Sequence, residues 1–277
     1  MIGEALALFS AFCWAANGAI YKIGLRDASV VNANFVRVSL TAFGFILIML
    51  AKNELMDIIT ETDQTIWILV AISAIFAFFI GDMLYMDAIK RCGVARAVPI
   101  SSTYPLFVAL WNAILFNRFE LNVVLGAVMI IIAIHLIVED EGYNQPLGYI
   151  FAALAAMSWS FSIMIVKHLT NFLPAEAIAG FRFLIVSMIL LPILIKRSFV
   201  IDSNCLKWMS ASSFVLIVGN YAFVLALGLS SATRVATLSS IYPIIAQLFA
   251  VMMEERVTLR VFSGATLATL GVIVVVI

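Results

Sequence analysis

Long apolar runs alternate with short polar segments along the whole chain. The runs cover roughly residues 3–24, 31–51, 66–89, 95–116, 121–138, 147–167, 175–195, 208–229, 232–253 and 257–277. About 20 apolar residues in a helix cross the roughly 30 Å of a bilayer's hydrocarbon core. The pattern therefore predicts an all-α integral membrane protein with ten transmembrane helices. The first run has no Lys or Arg before Lys22, so we expect a membrane span there rather than a cleaved signal peptide.

The composition agrees with a lipid environment and excludes several functions. The chain is 64% hydrophobic and 12% charged, about half the charged fraction of a soluble domain. The longest polar interruption, residues 51–65, is too short to hold a soluble domain. A formal net charge of zero argues against a nucleic-acid partner. The sequence has no GxxxxGK(S/T) phosphate loop, no HExxH pair and no CxxC, so we expect no cofactor or metal.

The chain repeats itself, first with a shift of 145 residues and later with a shift of 138. At the first shift, identical residues align in the pairs Gly3–Gly148, Trp14–Trp159, Lys22–Lys167 and Arg37–Arg182. At the second shift, they align in the pairs Gly81–Gly219, Arg96–Arg234, Tyr104–Tyr242, Pro105–Pro243 and Gly126–Gly264. We predict two five-helix repeats, residues 1–140 and 146–277. Because five is odd, the second repeat is inverted in the membrane, an arrangement typical of secondary transporters with a central site.

Several segments resemble a known family. WAANGAIYK and WSFSIMIVK are similar to the pattern that opens each half of EamA-type members of the drug/metabolite transporter superfamily. FRFLIVSMILLPIL resembles the second helix of that family, with Arg182, and Arg37 in the other half, at its characteristic arginine. The segment 239–277 resembles the closing helices, with Pro243 and Glu255 where Pro and Glu are expected. Asn117 stands where the first half would carry that Glu, so the first half departs from the pattern there.

The resemblance spans essentially the whole chain. It implies a secondary active transporter of the prokaryotic cell membrane that exports small organic metabolites such as amino acids by alternating access. The expected partners are a small-molecule substrate and the lipid bilayer, with protons as a candidate coupling ion.

Asp82 lies about midway along the third predicted span, and its repeat counterpart is Asn220. An aspartate near the centre of a membrane helix costs about 2.5 to 3.5 kcal/mol, so it points to a functional site. Burial disfavours the charged form of a carboxyl group, and Asp82 is therefore a candidate for binding a proton or a substrate ammonium. The alternative is a structural hydrogen bond or ion pair. Tyr85 follows three residues later and shares the same helix face.

Polar and aromatic residues also share one side of the first helix. The pattern S-x3-W-x2-N-x3-Y at residues 10–21 places Trp14 and Asn17 on that side. Trp159 and Ser162 occupy the corresponding side of the sixth helix. We predict that these side chains line a cavity; the alternative is that the indoles only pack against neighbouring helices.

The segments SSTYPLF and SSIYPII each contain a proline, which cannot donate a hydrogen bond to the carbonyl four residues earlier. Interruptions at matching places in both repeats point to a central site. Tyr104 and Tyr242 directly precede the two prolines, so we predict that both tyrosines lie at this site. The alternative is a kink whose free carbonyl is satisfied by the neighbouring serines.

Arg37 and Arg182 lie about two turns inside their predicted spans. We expect them either to reach toward lipid headgroups or to form a locked ion pair. The functional alternative is a symmetric pair of anion-binding groups for carboxylate or phosphate substrates.

The sequence therefore predicts a transporter whose substrate pocket is formed by Trp14, Asn17, Asp82, Tyr85, Tyr104, Trp159, Ser162, Asn220 and Tyr242. A second interpretation is a multi-span membrane enzyme. Such an enzyme needs a nucleophile, a metal cluster or paired catalytic acids, and the sequence has no pattern that indicates one of these. A noncatalytic scaffold that packs with another membrane protein is the third.

Overall fold

The computed structural model describes residues 1–116, 121–138, 145–196 and 201–276, and all regular secondary structure in these ranges is helical. The helices are α1 Ile2–Gly24, α2 Val30–Ala51, α3 Leu55–Glu61, α4 Gln64–Ala74, α5 Asp82–Cys92, α6 Val94–Ser101, α7 Tyr104–Phe116, α8 Leu121–Val138, α9 Pro146–Leu169, α10 Ala175–Lys196, α11 Ser203–Leu229, α12 Ala232–Ser239, α13 Tyr242–Met252 and α14 Leu259–Val276. A π-helical segment, Ile75–Gly81, joins α4 to α5.

Eight helices or continuous helix runs in the described ranges are long and apolar enough to cross a membrane. They are Ile2–Gly24, Val30–Ala51, Gln64–Cys92, Val94–Leu115, Pro146–Leu169, Ala175–Lys196, Ser203–Leu229 and Ala232–Met252. Two shorter apolar helices, Val124–Val138 and Leu259–Val275, lie at the fifth and tenth predicted spans. The all-helical prediction is thus confirmed for the described residues; residue 277, at the end of the last predicted run, lies outside them.

The fourth and ninth predicted spans are each broken, at residues 102–103 and 240–241. Each break comes immediately before a Tyr-Pro pair, as expected from the donor that proline lacks. The hydroxyl groups of Ser102 and Ser240 donate to carbonyl oxygens three residues earlier, both at 2.8 Å. These acceptors belong to Pro99 and Thr237, whereas the carbonyls that the prolines leave without a helical donor belong to Ser101 and Ser239. The serine alternative therefore stays a prediction.

The helices pack in four main pairings. α1 packs along α11, and α9 packs along the run from α4 to α5; α2 contacts α10, and α8 contacts α14. On α1 the interior face carries Ala7, Ala11 and Ala15, each at most 1% exposed. Small residues at such interfaces let helix backbones approach closely. Large apolar side chains such as Phe9 and Phe12 are exposed on the outer face of α1, where lipid would surround them.

The π-helical segment interrupts the third predicted span beside Asp82, a feature that the sequence did not predict. Turns of this type replace the regular i→i+4 hydrogen bonds with i→i+5 bonds and are frequent at functional sites. Side chains from other helices donate to the carbonyl oxygens of residues 76, 77 and 78: Ser158 at 2.5 Å, Trp159 at 3.2 Å and Asn34 at 2.9 Å, respectively. The segment is thereby fixed to α2 and α9.

Gly81, the last residue of this segment, permits a close approach of the two helices. A Cβ atom at Gly81 would lie 2.6 Å from the indole ring of Trp159. Only a glycine therefore lets the indole pack against the backbone here, and this contact places the Trp159 ring next to Asp82.

Candidate functional site

A cavity of about 730 Å³, counted to include space open to the outside, lies among α1, α2, the π-helical segment, α5 and the helices of the second half. Its described lining includes all nine side chains that the sequence predicts at a pocket: Trp14, Asn17, Asp82, Tyr85, Tyr104, Trp159, Ser162, Asn220 and Tyr242. The helix periodicity and the repeat thus bring these residues to one place; substrate binding by them stays a prediction.

Asp82 is 7% exposed and has both carboxylate oxygens engaged by the protein. Oδ2 accepts a hydrogen bond from Nη2 of Arg37 at 2.6 Å, and Oδ1 accepts one from Nε1 of Trp159 at 2.9 Å. The ion-pair alternative therefore describes its local contacts. A substrate ammonium would have to share or displace one of these donors.

Arg37 is fully buried and does not reach toward the membrane surface, so the snorkelling expectation is wrong for this residue. Besides Asp82, its guanidinium donates to the hydroxyl of Tyr21 at 2.9 Å and to Oδ1 of Asn34 at 2.5 and 3.2 Å. A buried guanidinium is tolerated when a counter-charge and enough acceptors surround it. Here the acceptors lie on α1, α2 and α5, which points the side chain inward.

Arg182, the repeat counterpart of Arg37, also lies at the cavity and is only 4% exposed. Snorkelling is wrong here too, and we did not predict this residue at the pocket. Its Nη2 donates to Ser162 Oγ at 2.8 Å, and its guanidinium carbon lies 4.6 Å from the ring centroid of Phe78. Its buried Nε has no hydrogen-bond partner in the described part of the chain. One feature of the sequence could have indicated that Arg182 lacks an acidic partner. Asn220 occupies the position in the second half that corresponds to Asp82, the acid that pairs with Arg37.

Two further lining residues carry buried polar atoms that lack a partner among the described residues: Nδ2 of Asn17 and the hydroxyl of Tyr85. The other end of the Asn17 amide is held, because its Oδ1 accepts a hydrogen bond from Ser212 at 2.8 Å. Leaving a buried polar atom unsatisfied costs about 1 to 3 kcal/mol. Such atoms on a cavity wall are the groups that a ligand or water would satisfy.

Aromatic rings form much of the remaining wall. Trp14 packs edge-on against Tyr104 and Tyr242, with ring centroids 6.3 and 6.1 Å apart. Tyr85 meets Trp159 in the same way at 5.0 Å. These rings provide an apolar surface with hydroxyl and indole N–H groups at its edge, which suits a small organic solute.

A hydrogen bond links the two broken helices behind this wall. The hydroxyl of Tyr104 lies 2.7 Å from Ser239 Oγ and donates to the carbonyl oxygen of Ala236 at 3.0 Å. The first break, before α7, is thus joined to the second break, before α13.

Glu255 caps a helix at one end of the bundle. Its carboxylate accepts hydrogen bonds from the backbone N–H groups of Val94 and Ala95 at 3.0 and 2.9 Å, and Nζ of Lys22 lies 3.3 Å away. An acidic group at a helix N-terminus is stabilised by the free N–H groups and the helix dipole. Asn117, the corresponding residue of the first half, lies outside the described residues.

Comparison with known proteins adds the family. The model of the EamA-like transporter family matches residues 1–139 and again residues 146–277. The chain is 32% identical over 276 residues to an uncharacterized transporter of Archaeoglobus fulgidus, covering 99% of this chain and 97% of that one. A solved crystal structure shares the fold, with a TM-score of 0.74 and 17% identity over 98% of this chain and 94% of the other. The protein is therefore a multi-pass membrane transporter, and the chain belongs to the EamA-like transporter family.

Proposed function

We propose that this protein is a secondary active transporter that exports small organic metabolites, such as amino acids, across the prokaryotic cell membrane by alternating access. Membership of the EamA-like transporter family supports transport. The observation that carries the rest is one partly aromatic cavity lined by both halves of the chain at matched positions. These are Trp14 with Trp159, Asn17 with Ser162, Asp82 with Asn220, and Tyr104 with Tyr242.

The proposed architecture is ten transmembrane helices in two inverted repeats, residues 1–140 and 146–277. The packing supports it, since α1 on α11 is matched by α9 on the α4–α5 run, and since α2–α10 and α8–α14 each pair a helix with its counterpart. A twofold relation between the halves produces such exchanged pairs. The family model also matches each half separately. The proposed boundary covers residues 141–145, of which 141–144 lie outside the described residues.

Ion pairs between the halves suggest how access would alternate. Lys22 pairs with Glu255 at 3.3 Å, and Lys52 contacts Glu176. Lys22 lies near the end of α1, and Lys52 directly follows α2. Because α2 spans the membrane between them, the two ion pairs lie at opposite ends of the bundle. In this proposal, opening toward either side of the membrane separates the halves at that side and weakens the pair located there.

Asp82 is the proposed site of proton coupling. Protonation would remove the negative charge that holds Arg37, and this change would loosen the contact between α2 and α5. The nine predicted pocket residues would surround the solute while this contact changes.

Variants of the lining tryptophans test the role of the cavity. We expect Trp14→Ala and Trp159→Ala to lower solute uptake into proteoliposomes at least tenfold, because each removes a wall of the cavity. Trp208→Ala is the matched control, since Trp208 does not belong to the described lining. If both lining variants transported at the wild-type rate, the proposed site would be wrong.

A further inference from the structure

The charges on the cavity wall do not balance. Among the described lining residues, Asp82 is the acid, whereas Arg37 and Arg182 are the bases. The carboxylate of Asp82 is already paired with Arg37, and no ion pair of Arg182 occurs within the described ranges. The wall thus carries one uncompensated positive charge.

The repeat shows how this imbalance arises. In the first half, Arg37 is held by Tyr21, Asn34 and Asp82. Shifted by 145 or 138 positions, these three partners become Val166, Ala179 and Asn220. The second half therefore has the arginine, but not the three residues that accept hydrogen bonds from Arg37. Two of the corresponding positions carry apolar side chains, and the third carries an uncharged amide in place of the carboxylate.

Arg182 lines the cavity, and its contacts leave part of its hydrogen-bonding capacity unused. Nη2 donates a hydrogen bond to Ser162, and the guanidinium carbon lies 4.6 Å from the ring centroid of Phe78. Nε is buried without a hydrogen-bond partner in the described residues. An unpaired buried charge is strongly destabilising. A bound anion would supply the missing counter-charge and remove this destabilisation. A guanidinium presents its N–H groups in a planar fork that matches a carboxylate.

We infer that Arg182 binds the carboxylate of the transported solute, so that the cavity selects organic carboxylates over the corresponding amines and amides. The inference rests on the proposed transport function and names its substrate class. A single uncompensated charge matches a monoanionic group, whereas a phosphate monoester carries up to two charges. Asp82 does not provide an equivalent site for an ammonium, because its negative charge is already paired with Arg37. Zwitterionic amino acids bind through their carboxylate in this scheme.

Matched probes test this selectivity on the purified full-length protein. We would measure binding by calorimetry and by the shift of the melting temperature for three series, each with one hydrocarbon body and a carboxylate, an amide or an amine. The series are acetate, benzoate and 3-phenylpropanoate with their amide and amine analogues. Because hydrogen bonds to charged groups are strong, we expect the carboxylate of at least one series to bind at least ~10-fold more tightly than its amide and amine.

Variants at position 182 distinguish the contribution of Arg182 to carboxylate binding from that of the other lining residues. Arg182→Gln should abolish the preference for the carboxylate, and Arg182→Lys should keep the preference with weaker binding, because the charge remains and the fork is lost. Arg256→Gln removes an exposed arginine outside the described lining and should bind as the wild type does. Size-exclusion chromatography and melting curves check that each variant is folded; if the Gln variant is not, the probe series on the wild type and the Lys variant still decide.

The inference is overturned if amides or amines bind as tightly as carboxylates in every series, if no carboxylate binds, or if Arg182→Gln keeps the preference. Its failure can be distinguished from failure of the proposed function by transport in proteoliposomes. Transport of amines or neutral solutes without carboxylates contradicts the inference and leaves the transporter in place. Carboxylate binding without transport of any solute contradicts the proposed function and leaves the binding site in place.

Discussion

Arg37 and Asp82 form an ion pair with a distance of 2.6 Å from Nη2 to Oδ2, and this pair joins α2 to α5 inside the helix bundle. The Arg37 side chain is fully buried, and Asp82 lies on the cavity wall. Each charge depends on the other, since either one alone in this apolar surrounding would be strongly destabilising. The pair therefore has a structural role directly at the cavity wall.

The Asp82→Asn variant should reveal this dependence. It leaves Arg37 without a counter-charge, and we expect the free energy of unfolding to fall by about 3 to 5 kcal/mol. The double variant Arg37→Gln/Asp82→Asn removes both charges and should recover most of this loss. Melting curves of the wild type, the two single variants and the double variant form the test. Equal stability of Asp82→Asn and the wild type would show that the pair is not coupled as described.

The Gly81→Ala substitution should disturb the site through packing alone. The new Cβ would lie 2.6 Å from Trp159 and 2.9 Å from the carbonyl oxygen of Phe76, so we expect a loss of about 1 to 3 kcal/mol in stability. At Gly228 the nearest atom to a new Cβ is 3.9 Å away. Gly228→Ala should therefore be neutral or slightly stabilising, because alanine favours a helix. Thermal unfolding of the two variants side by side checks this difference, and equal effects would contradict the close contact.

Two tyrosines of the cavity should respond differently to loss of their hydroxyl group. Tyr104→Phe removes the hydrogen bonds to Ser239 and Ala236 and should lower stability by about 1 kcal/mol. The Tyr85 hydroxyl has no partner among the described residues, so Tyr85→Phe should leave the melting temperature unchanged or raise it. Differential scanning fluorimetry of both variants is the measurement. A larger loss for Tyr85→Phe than for Tyr104→Phe would contradict these hydrogen-bond assignments.

The contact between Lys52 and Glu176 should contribute to stability in a pH-dependent way. The hydrogen bond from Lys52 to Glu176 raises the pKa of Lys52 above its ordinary value of 10.5. A raised pKa means that the contribution is complete below the ordinary value and is lost as pH rises through the raised value. We expect a small melting-temperature advantage of the wild type over Lys52→Gln at pH 8, because the lysine is 42% exposed. The advantage should shrink as the pH rises above 10.5 and through the raised pKa of Lys52; a difference that stays constant or grows would contradict the assignment.

Much of the helical framework and the cavity lining follows from local patterns. The length of the apolar runs predicts the helices, and helical spacing places Trp14 and Asn17 on one side of α1. The repeat then carries the same argument to Trp159 and Ser162. All four side chains reach one cavity. They could be predicted because each pattern depends only on a residue's neighbours along its own helix.

Features that depend on contacts between distant segments were not predicted. The π-helical segment before Asp82 is held by side chains of Ser158 and Trp159, which lie about 80 residues away in the sequence. The inward direction of Arg37 likewise depends on acceptors from α1 and α5, whereas distance from the membrane surface alone suggested snorkelling. Arg182 was expected to snorkel or to form an ion pair, with anion binding as the alternative, because its position along the helix does not show which side chains of other helices face it.

Solute counterflow in proteoliposomes that contain this protein alone tests the central claim most directly. The liposomes are loaded with an unlabelled amino acid or organic carboxylate, and uptake of the same labelled solute is followed against protein-free liposomes. A transporter with a cavity between two halves should give a transient accumulation that depends on the internal solute and is lost in Trp159→Ala. Uptake no faster than in protein-free liposomes for every solute of an amino acid, carboxylate, amine and neutral panel, from protein shown to be folded, would contradict the account.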